Sequence, residues 1–534
     1  MGIYMHLLVS GAVTPNEWRA AYQETLKLVQ AFSLGELREK EVAGVPVYCL
    51  TPTEERTQPA AWRKNGAWTG WTGWTANGDM LTLRTAEEYC LPRDLENELT
   101  YDPAGGDAAL AHAVDALFRK EDTPKAPAAR HLWGGKTQGE PYHIALLAIG
   151  CLLADRLGRK VYVHGDITLG QCRRAVELAN QVLDTPISLP DFCDCQRWYQ
   201  RVQAWPLTEA QKAAAFERMY LGEKGGEFGA FLHENFSEAA CRAYWQARFR
   251  SSGLTTISFE KNVQQYLLWG FDLRELCDLA AYAAKEGETC GEPLIRAVMD
   301  TGVYLTAKDC SDALEIDPQS ETPYGVGNLL MQFVFSAARN KYVDRYIPLE
   351  QVREALATGL DGVCDANAVI DRYLKDKENC QQPQPAEALR TSFLARRDAW
   401  RKDAAQYDIA QCEQLLDYRA GDRIHPLVMG KLQQFRPFFQ SLPKEPEFHD
   451  LAGQSARQRC RWLADNNRQL LLRDSDWQQI FAQIEASPAA FARYYSMDRL
   501  QLQNDDAIEI MRSLVLNDAL YAFFQTLPEE EGSE

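Results

Sequence analysis

Residues 131–190 carry the sequence pattern that most constrains the fold of this chain. An apolar helix pattern begins at Pro141, and the short β-pattern Lys160–His164 follows it. A second helix pattern opens after Thr168, which we predict to cap it together with Gln171. This order of helix, strand, turn and helix is typical of open α/β sheets, which bind ligands at the ends of their strands. We therefore expect an α/β domain with polar groups such as Asp166 at its ligand-binding edge.

The N-terminal segment extends this α/β prediction. Ile3–Val9 is an apolar stretch typical of a buried strand, and Val45–Leu50 predicts a second strand. Between them, Thr14–Glu17 form a capping box with proline at the first helical position. We predict an α/β domain over residues 1–205, with a Trp/Gly-rich insertion near residues 60–78.

Helical periodicity replaces the strand patterns after Pro206. Thr208–Gln211 form another capping box, and helical spacing continues almost to the C-terminus. We predict one helical domain over 206–375, a second over 385–525 and an acidic tail over 526–534. The predicted fold class is an α/β N-terminal domain followed by a large, mostly α-helical region, mixed α/β overall and dominated by helix.

Three weaker β-patterns also occur in the chain. We assign Met80–Arg84, the segment at Ile187 and Val303–Thr306 as short strands. No β-pattern is present over Ala126–Leu132, which contains Pro127, so we expect no strand there.

Charge and cysteine content narrow the class of protein. A net charge of −18 argues against a general nucleic-acid binder, because phosphate neutralisation needs clustered Lys and Arg. The 14 cysteines show no disulfide-like spacing, and the N-terminus lacks the features of a signal peptide. The longest apolar run, Ile144–Ala154, is shorter than the ~20 residues that span a membrane. We expect a soluble cytoplasmic protein with free thiols and no membrane partner.

Gly134-Gly135-Lys136-Thr137 precedes a helix and therefore invites comparison with a phosphate-binding loop. In such a loop the lysine reaches an anion and the threonine holds a metal. The full motif, however, needs a glycine where Arg130 stands. A tight turn that caps the following helix is the favoured alternative. Lys136 and Thr137 are kept as candidate binding residues for a small anionic ligand.

His164-Gly165-Asp166 is the best candidate for chemistry. A histidine and a carboxylate at the end of a strand can act as base and orienting group, or His164 can bind a metal together with His143. In the alternative, Asp166 caps the next helix and His164 is a half-buried residue with its hydrogen bonds satisfied. We assign His164 and Asp166 as catalytic candidates and His143 as a ligand-binding candidate. We predict no metal site, and the sequence leaves the identity of any cofactor open.

Trp68-Thr-Gly-Trp71-Thr-Gly-Trp74 is an unusual three-residue repeat. In an extended or loop conformation it presents an aromatic platform to a sugar, a base or a proline-rich peptide. Trp68, Trp71 and Trp74 are therefore candidate ligand-binding residues. Burial of the rings against the N-terminal sheet is the favoured alternative.

Three further clusters are interpreted as structural or solvated. Cys193 and Cys195 lack the second pair that structural zinc sites require. The acidic stretch Asp309–Asp317 lacks the spacing of a calcium loop. The basic run Arg390–Lys402 can dock an acidic partner, although an exposed face paired with carboxylates is favoured.

The leading functional hypothesis from the sequence is an interaction or scaffold protein. We expect a soluble intracellular protein that binds partner proteins as one component of a multi-protein system, because no complete catalytic motif occurs in the chain. The alternative is an enzyme or a ligand sensor. Its pocket, of the anion or nucleotide type, lies at the strand ends of the N-terminal α/β domain.

Overall fold

The structure, a computed structural model, describes most of the chain and confirms the predicted fold class. It describes residues 2–58, 62–63, 66–67, 70–95, 101–102, 106–118, 125, 127–306, 342–379, 385–467, 469–499 and 504–528. Sheets are concentrated in the N-terminal region, and a large helical region follows. Within the described residues, no helix combines the length and the apolar character needed to cross a membrane.

Ten strands and twenty-two α-helices form the described part of the chain. The strands are β1 Tyr4–Ser10, β2 Leu34–Val42, β3 Val45–Pro52, β4 Arg56–Gln58, β5 Trp62–Arg63, β6 Gly66–Ala67, β7 Trp71–Asp79, β8 Thr85–Pro92, β9 Ala129–Lys136 and β10 Val161–Gly165. The first eleven helices are α1 Pro15–Ala31, α2 Ala108–Leu117, α3 Tyr142–Leu157, α4 Leu169–Asn180, α5 Cys195–Gln203, α6 Glu209–Met219, α7 Gly226–Asn235, α8 Glu238–Arg250, α9 Ile257–Leu268, α10 Leu273–Ala280 and α11 Gly291–Asp300. The others are α12 Leu349–Gly359, α13 Ala366–Asn379, α14 Pro385–Ala404, α15 Pro426–Gln433, α16 Arg436–Ser441, α17 Pro446–Ala452, α18 Ala456–Asn466, α19 Asp474–Ala486, α20 Phe491–Arg499, α21 Asp505–Leu516 and α22 Asp518–Thr526.

The chain folds into two compact units, each assembled from separate segments. The first unit comprises Met1–Thr25, Asp94–Gly139 and Leu146–Leu394. The second unit comprises Leu26–Arg93, Glu140–Ala145 and Ala395–Glu534. The contiguous boundaries 1–205, 206–375 and 385–525 stay a prediction.

The first unit contains a three-stranded sheet with the order β10-β1-β9. The central strand β1 pairs antiparallel with both neighbours, whereas the open sheets of α/β folds are mostly parallel. The strand-helix-strand order at the N-terminus is present, but β1 and β2 belong to different sheets. An antiparallel sheet with helices on it buries one stripe of each strand, and β1 keeps Met5, Leu7 and Val9 fully buried.

The second unit contains a sheet with the order β3-β2-β7-β4, and β8 pairs with β7. The β2–β3 hairpin turns through Ala43 and Gly44, which have φ of 49° and 74°. Two successive residues with positive φ form a two-residue hairpin turn whose geometry matches the twist of the two flanking strands. The sequence analysis did not predict β2, because its stretch of alternating charges hides the buried residues at its start.

Local capping signals in the sequence are confirmed. Thr14, Thr168 and Thr208 form the predicted capping boxes at the starts of α1, α4 and α6. Each box joins residues three positions apart, so its geometry is set by the local sequence.

The three weak strand predictions are wrong, each for a local reason. Met80–Arg84 is a turn and coil, because Asp79 accepts hydrogen bonds from the backbone N–H groups that follow it. Ile187 is held by the Asn180 amide, which bonds its N–H at 2.7 Å and its carbonyl oxygen at 3.0 Å. Val303 lies in a buried turn after Gly302, which has φ of 58°. The segment before Gly134, for which we expected no strand, forms β9.

The Glu17 carboxylate gives a test of the α1 capping box. Glu17 accepts the Thr14 N–H at 2.9 Å and the Lys160 ammonium at 2.7 Å. The Lys160 bond, followed by the Thr14 bonds, lowers the pKa of Glu17 from 4.5 to about 2. Because folding lowers this pKa, the ionised carboxylate stabilises the protein when the pH is above the unfolded-state pKa of 4.5. This stabilisation is lost as the pH falls through the folded-state pKa of about 2.

We expect Glu17→Gln to lower the free energy of unfolding at neutral pH by less than about 1 kcal/mol, because the ion pair is largely exposed. Glutamine retains the hydrogen bonds of the box, so the variant isolates the charge. Thermal melts of both proteins should converge as the pH falls toward about 2. A difference that stays constant over this range would rule out the ionic contribution.

Candidate functional site

Four histidines gather on one face of the first sheet. They are His6 on β1, His112 on α2, His131 on β9 and His164 on β10, and they make up half of the eight histidines of the chain. All four belong to the first unit. Of these four, only His164 is a sequence-predicted site residue.

Strand pairing places His6 beside His164. The antiparallel register of β1 and β10 sets these two residues directly opposite each other. Directly opposed residues of an antiparallel pair point to the same face of the sheet. The two imidazole rings are accordingly stacked, with centroids 4.8 Å apart and an interplanar angle of 11°.

An irregularity in β9 brings His131 to the same face. β1 pairs Leu7 with Trp133 and Leu8 with His131, so the register shifts by one residue between these pairs. A bulge of this kind re-aims side chains relative to a regular ladder. Opposite His6, the register places Gly134, whose lack of a side chain leaves the space beside the imidazole open.

The result is a convergence of three imidazole nitrogens. One ring nitrogen from each of His6, His131 and His164 lies within 4.8 Å of the other two. The His131 ring centroid is 5.9 Å from that of His6 and 6.0 Å from that of His164. Among the described residues, this is the group of three that has the donor types and spacing to hold a metal ion.

Desolvation favours the neutral form of these imidazoles. Desolvation, with further contributions from the neighbouring histidines, lowers the pKa of His164 to about 2 and that of His112 to about 4. Desolvation also lowers the pKa values of His6 and His131. Within the described part of the chain, Nε2 of His164 is buried and has no hydrogen-bond partner. The site therefore presents unprotonated nitrogen atoms, the form that binds metal ions.

His112 covers His164 from the helix α2. Its ring centroid lies 4.0 Å from that of His164 and 5.6 Å from that of Tyr162. The helix start is fixed by Asp107, whose carboxylate accepts the N–H groups of Ala109 at 2.8 Å and Leu110 at 3.3 Å.

A buried ion pair holds Asp107 itself. Arg201 donates two hydrogen bonds of 2.8 Å to the carboxylate, and the Trp205 indole N–H donates a third at 3.1 Å. Both ion-pair side chains are almost fully buried. The position of His112 therefore depends on residues in α5 and the loop after it.

A cavity of about 180 Å³ adjoins the cluster. His112, His164 and Tyr162 line one part of it, and Arg218 lines another. Arg218 is exposed and, among the described residues, makes no hydrogen bond or ion pair. The cavity is thus lined by two histidine rings and by the exposed guanidinium of Arg218, a group suited to a small anion.

Asp166 is not bonded to His164 in the part of the chain that the structure describes. Its carboxylate accepts the backbone N–H of Tyr4 at 2.7 Å, and its own N–H donates to the Tyr4 carbonyl at 2.9 Å. Asp166 therefore closes the end of the β1–β10 ladder. Its proposed role as the orienting group of His164 stays a prediction.

Lys136 and Thr137 end a strand instead of forming a phosphate loop. Gly134, Gly135 and Lys136 belong to β9 and are paired with β1. The N–H of Thr137 donates to the Ile3 carbonyl at 2.8 Å, and Lys136 Nζ lies 5.4 Å from the centre of the Tyr4 ring. Lys136 and Asp166 consequently both flank Tyr4 at the start of β1, two residues before His6.

The other candidate ligand residues lie elsewhere. His143 is fully buried in the first turn of α3 and belongs to the second unit. Trp71 and Trp74 are buried in β7 of the second unit, an arrangement that matches the favoured alternative to an exposed platform. Trp68 lies outside the described residues.

The structure describes two of the three remaining clusters. Cys193 is a buried free cysteine, and its thiol forms a hydrogen bond with the thiol of Cys172. This contact is in agreement with a structural role. In the basic run of Arg390, Arg396, Arg397, Arg401 and Lys402, which lies on α14, Arg397 is paired with Asp398. The side chain of Arg390 and the acidic stretch Asp309–Asp317 lie outside the description.

A sequence signal for the cluster exists, although sequence reasoning missed it. β1 and β10 carry the same Tyr-x-His pattern, as Tyr4-Met5-His6 and Tyr162-Val163-His164. In a strand, residues two apart share one face, so each segment predicts a tyrosine and a histidine side by side. The pattern does not predict that the two strands pair with each other. Because the site is created by that pairing, the pattern alone could not locate it.

The comparisons with known proteins give no match. No family model, curated protein or solved structure was matched by this chain.

Proposed function

We propose that the first unit binds a divalent transition-metal ion through His6, His131 and His164. The bound metal then serves an enzyme or a ligand sensor that takes a small anion. The observation that carries this proposal is the convergence of three imidazole nitrogens within 4.8 Å of one another. It supports the enzyme-or-sensor alternative of the sequence analysis and changes the residues that serve it.

The donor set fits zinc and related metals. Three histidines with one open position are the ligand set of many catalytic zinc sites, whereas structural sites use four protein ligands. Nitrogen atoms bound to one zinc ion lie about 3.4 Å apart, so binding requires the three rings to rotate toward one another. Rotation about the imidazole χ2 bond is a soft motion and brings the nitrogens closer without moving the strands.

Aromatic packing alone is the competing explanation of the cluster. His6, His164 and Tyr162 form a stack, with His164 and Tyr162 centroids 5.1 Å apart. Packing accounts for the rings but leaves the buried His164 Nε2 unsatisfied, which costs about 1–3 kcal/mol. A metal ion coordinated by Nε2 of His164 would satisfy this nitrogen, which packing does not do.

The neighbouring cavity supports an anionic ligand. An open coordination position at the histidines and the available guanidinium of Arg218 both favour negative charge. The cavity of about 180 Å³ has room for a small group such as a phosphate or a carboxylate.

Metal binding by purified protein tests the proposal. We expect one ion of zinc or cobalt per chain, and His164→Ala or His6→Ala should weaken the affinity by roughly 100-fold or more, because loss of a second-shell group alone costs 10–100-fold. His449→Ala, which removes an exposed histidine of the second unit, is the matched control and should bind normally. Equilibrium dialysis with elemental analysis gives the stoichiometry and the affinity.

The cobalt spectrum and the melting temperature complete this test. Visible absorption of the cobalt-loaded protein should show nitrogen coordination in the wild type and lose it in the His164→Ala variant. Both histidine variants should keep near-normal melting temperatures without metal, since the rings are only partly buried. Wild-type affinity in either folded variant would refute the proposed ligand set.

The interaction or scaffold function stays a prediction. Its test is a pull-down with the basic face of α14 neutralised at Arg397 and Arg401. Loss of a specific partner from this variant would support it.

A further inference from the structure

We propose that the groove between α6 and α8 binds a phosphate monoester, with the phosphate group held by Arg218. This inference deepens the proposed function and rests on it for the role of the histidine cavity, since it names the class of ligand that the site takes. It depends on a second cavity, on the charge of its walls and on the one guanidinium that both cavities share.

The groove is a consequence of small residues on facing helices. It has a volume of about 580 Å³. Its α6 wall carries Ala210, Ala214 and Arg218, and its α8 wall carries Ala243 and Ala247. Residues four positions apart lie on one face of a helix, so each wall is a continuous stripe. Because alanines fill little space, the helices leave a volume typical of small-molecule sites, about 300–1,000 Å³.

The walls of the groove are positively charged. Arg218, Arg248 and Arg250 line it, and none of its described lining residues is a carboxylate. This is a local exception in a chain with a net charge of −18. A cavity walled by one sign of charge concentrates ligands of the opposite sign.

The three arginines differ in what they already bind. Arg248 donates hydrogen bonds of 2.7 Å to the Tyr244 hydroxyl and to the side-chain amide oxygen of Gln265, and it lies 4.0 Å from the Glu217 carboxylate. Arg250 lies over the Tyr282 ring, 5.1 Å from its centre. Arg218, by contrast, makes no hydrogen bond, ion pair or ring contact with any described residue. Its guanidinium is the group available for a ligand.

The chemistry of the walls selects the ligand class. A guanidinium binds phosphate through two parallel hydrogen bonds, and a phosphate monoester carries nearly two negative charges that suit several arginines. The Phe118 ring and the alanine stripes offer an apolar surface for the organic part of the ester. A phosphate attached to an aromatic or aliphatic body therefore fits both the charge and the shape.

The groove and the histidine cavity meet at Arg218. Both cavities are lined by Arg218 and Leu117. A phosphate bound to Arg218 consequently lies at the junction, with the organic body along the groove and the histidine cavity on its other side.

Binding of naphthyl phosphate to the full chain tests this inference. We expect Arg218→Gln to weaken binding by about tenfold or more, the loss of one charge-assisted contact. Arg174→Gln is the matched control, because Arg174 is a partly exposed arginine of α4 outside both cavities. Fluorescence titrations of the two variants and the wild type give the affinities, and naphthol and naphthoate replace the phosphate in parallel titrations.

Each outcome decides the inference. Specific loss of binding in the Arg218→Gln variant, with weak binding of naphthol and naphthoate, supports it. Equal affinity of wild type and Arg218→Gln, absence of wild-type binding, or equal affinity for naphthoate overturns the assignment of a phosphate site.

Metal-depleted protein and the His164→Ala variant separate this inference from the metal proposal. Naphthyl phosphate binding could depend on Arg218 both in metal-depleted protein and in the His164→Ala variant, while the wild type binds no metal. In that case the groove is a phosphate site and the metal proposal fails. If metal binding depends on His164 while Arg218→Gln leaves phosphate binding unchanged, the metal site stands and the groove proposal fails.

Discussion

Replacement of Arg201 by leucine is expected to destabilise the first unit by about 3–5 kcal/mol, the range for breaking a buried ion pair by removing one partner. Side-chain exposure is 10% for Arg201 and 9% for Asp107, so the variant leaves a carboxylate buried without its cation. Asp107 also caps α2, and the remaining bonds from Ala109, Leu110 and Trp205 place the effect toward the lower end of this range.

Chemical denaturation of variants around this pair isolates the cause. Asp107→Asn with Arg201→Leu should recover part of the stability, because the double variant no longer buries an unpaired charge. Arg174→Leu is the control, since it removes an exposed ion pair worth less than about 1 kcal/mol. A loss in Arg201→Leu no larger than that of the control would show that the pair contributes little.

The Arg201→Leu variant also tests whether this ion pair positions the histidine cluster. α2 begins at the Asp107 cap and carries His112, which covers His164. We expect metal affinity of Arg201→Leu to fall below that of the wild type even under conditions where the variant is fully folded. Unchanged affinity in the folded variant would mean that His112 is positioned without this ion pair.

Gly165→Ala is expected to have the second large effect, a loss of about 3 kcal/mol in the free energy of unfolding. Gly165 has φ of 135°, a conformation that side chains rarely adopt. A Cβ atom there would lie 2.3 Å from the Tyr4 carbonyl oxygen, which belongs to the neighbouring backbone. Either β10 separates from β1 at this end, or the local backbone changes, and both alter the position of His164.

Gly158→Ala is a matched control for the free-energy cost of placing alanine at a positive φ. Gly158 also has positive φ, 56°, and it lies just before β10. A Cβ atom there meets nothing within 4 Å, so alanine costs only the conformational term of about 1 kcal/mol. Denaturant titrations should therefore show a distinctly larger loss for Gly165→Ala. Equal losses would show that the contact with Tyr4 relaxes easily.

The candidate site was only partly predictable from the sequence. His164 was recognised because it ends a short apolar strand before a glycine and a carboxylate, and Lys136 and Asp166 do lie at the same edge of the first sheet. His6 was missed because it stands within an apolar run, where a single histidine carries no distinctive signal. His131 was missed because β9 contains two glycines and follows a proline, a composition that argues against a strand.

The misleading glycines illustrate how tertiary context overrides local pattern. Gly134 and Gly135 before Lys136 resemble part of a phosphate loop, yet their backbone groups pair with β1. A strand that completes a sheet gains hydrogen bonds and burial that exceed the weak preference of its own residues. The same effect produced β2 from a stretch rich in charge.

The sequence by itself determined the helix-dominated fold class, the β1 and β10 strands and the capping boxes at Thr14, Thr168 and Thr208. These features follow from side-chain period and from hydrogen bonds between residues three apart, which operate wherever the chain goes. Only the tertiary structure decided that His6, His112, His131 and His164 meet. Their contacts join segments up to 158 positions apart along the sequence, through an antiparallel register and one bulge that long-range pairing and burial select.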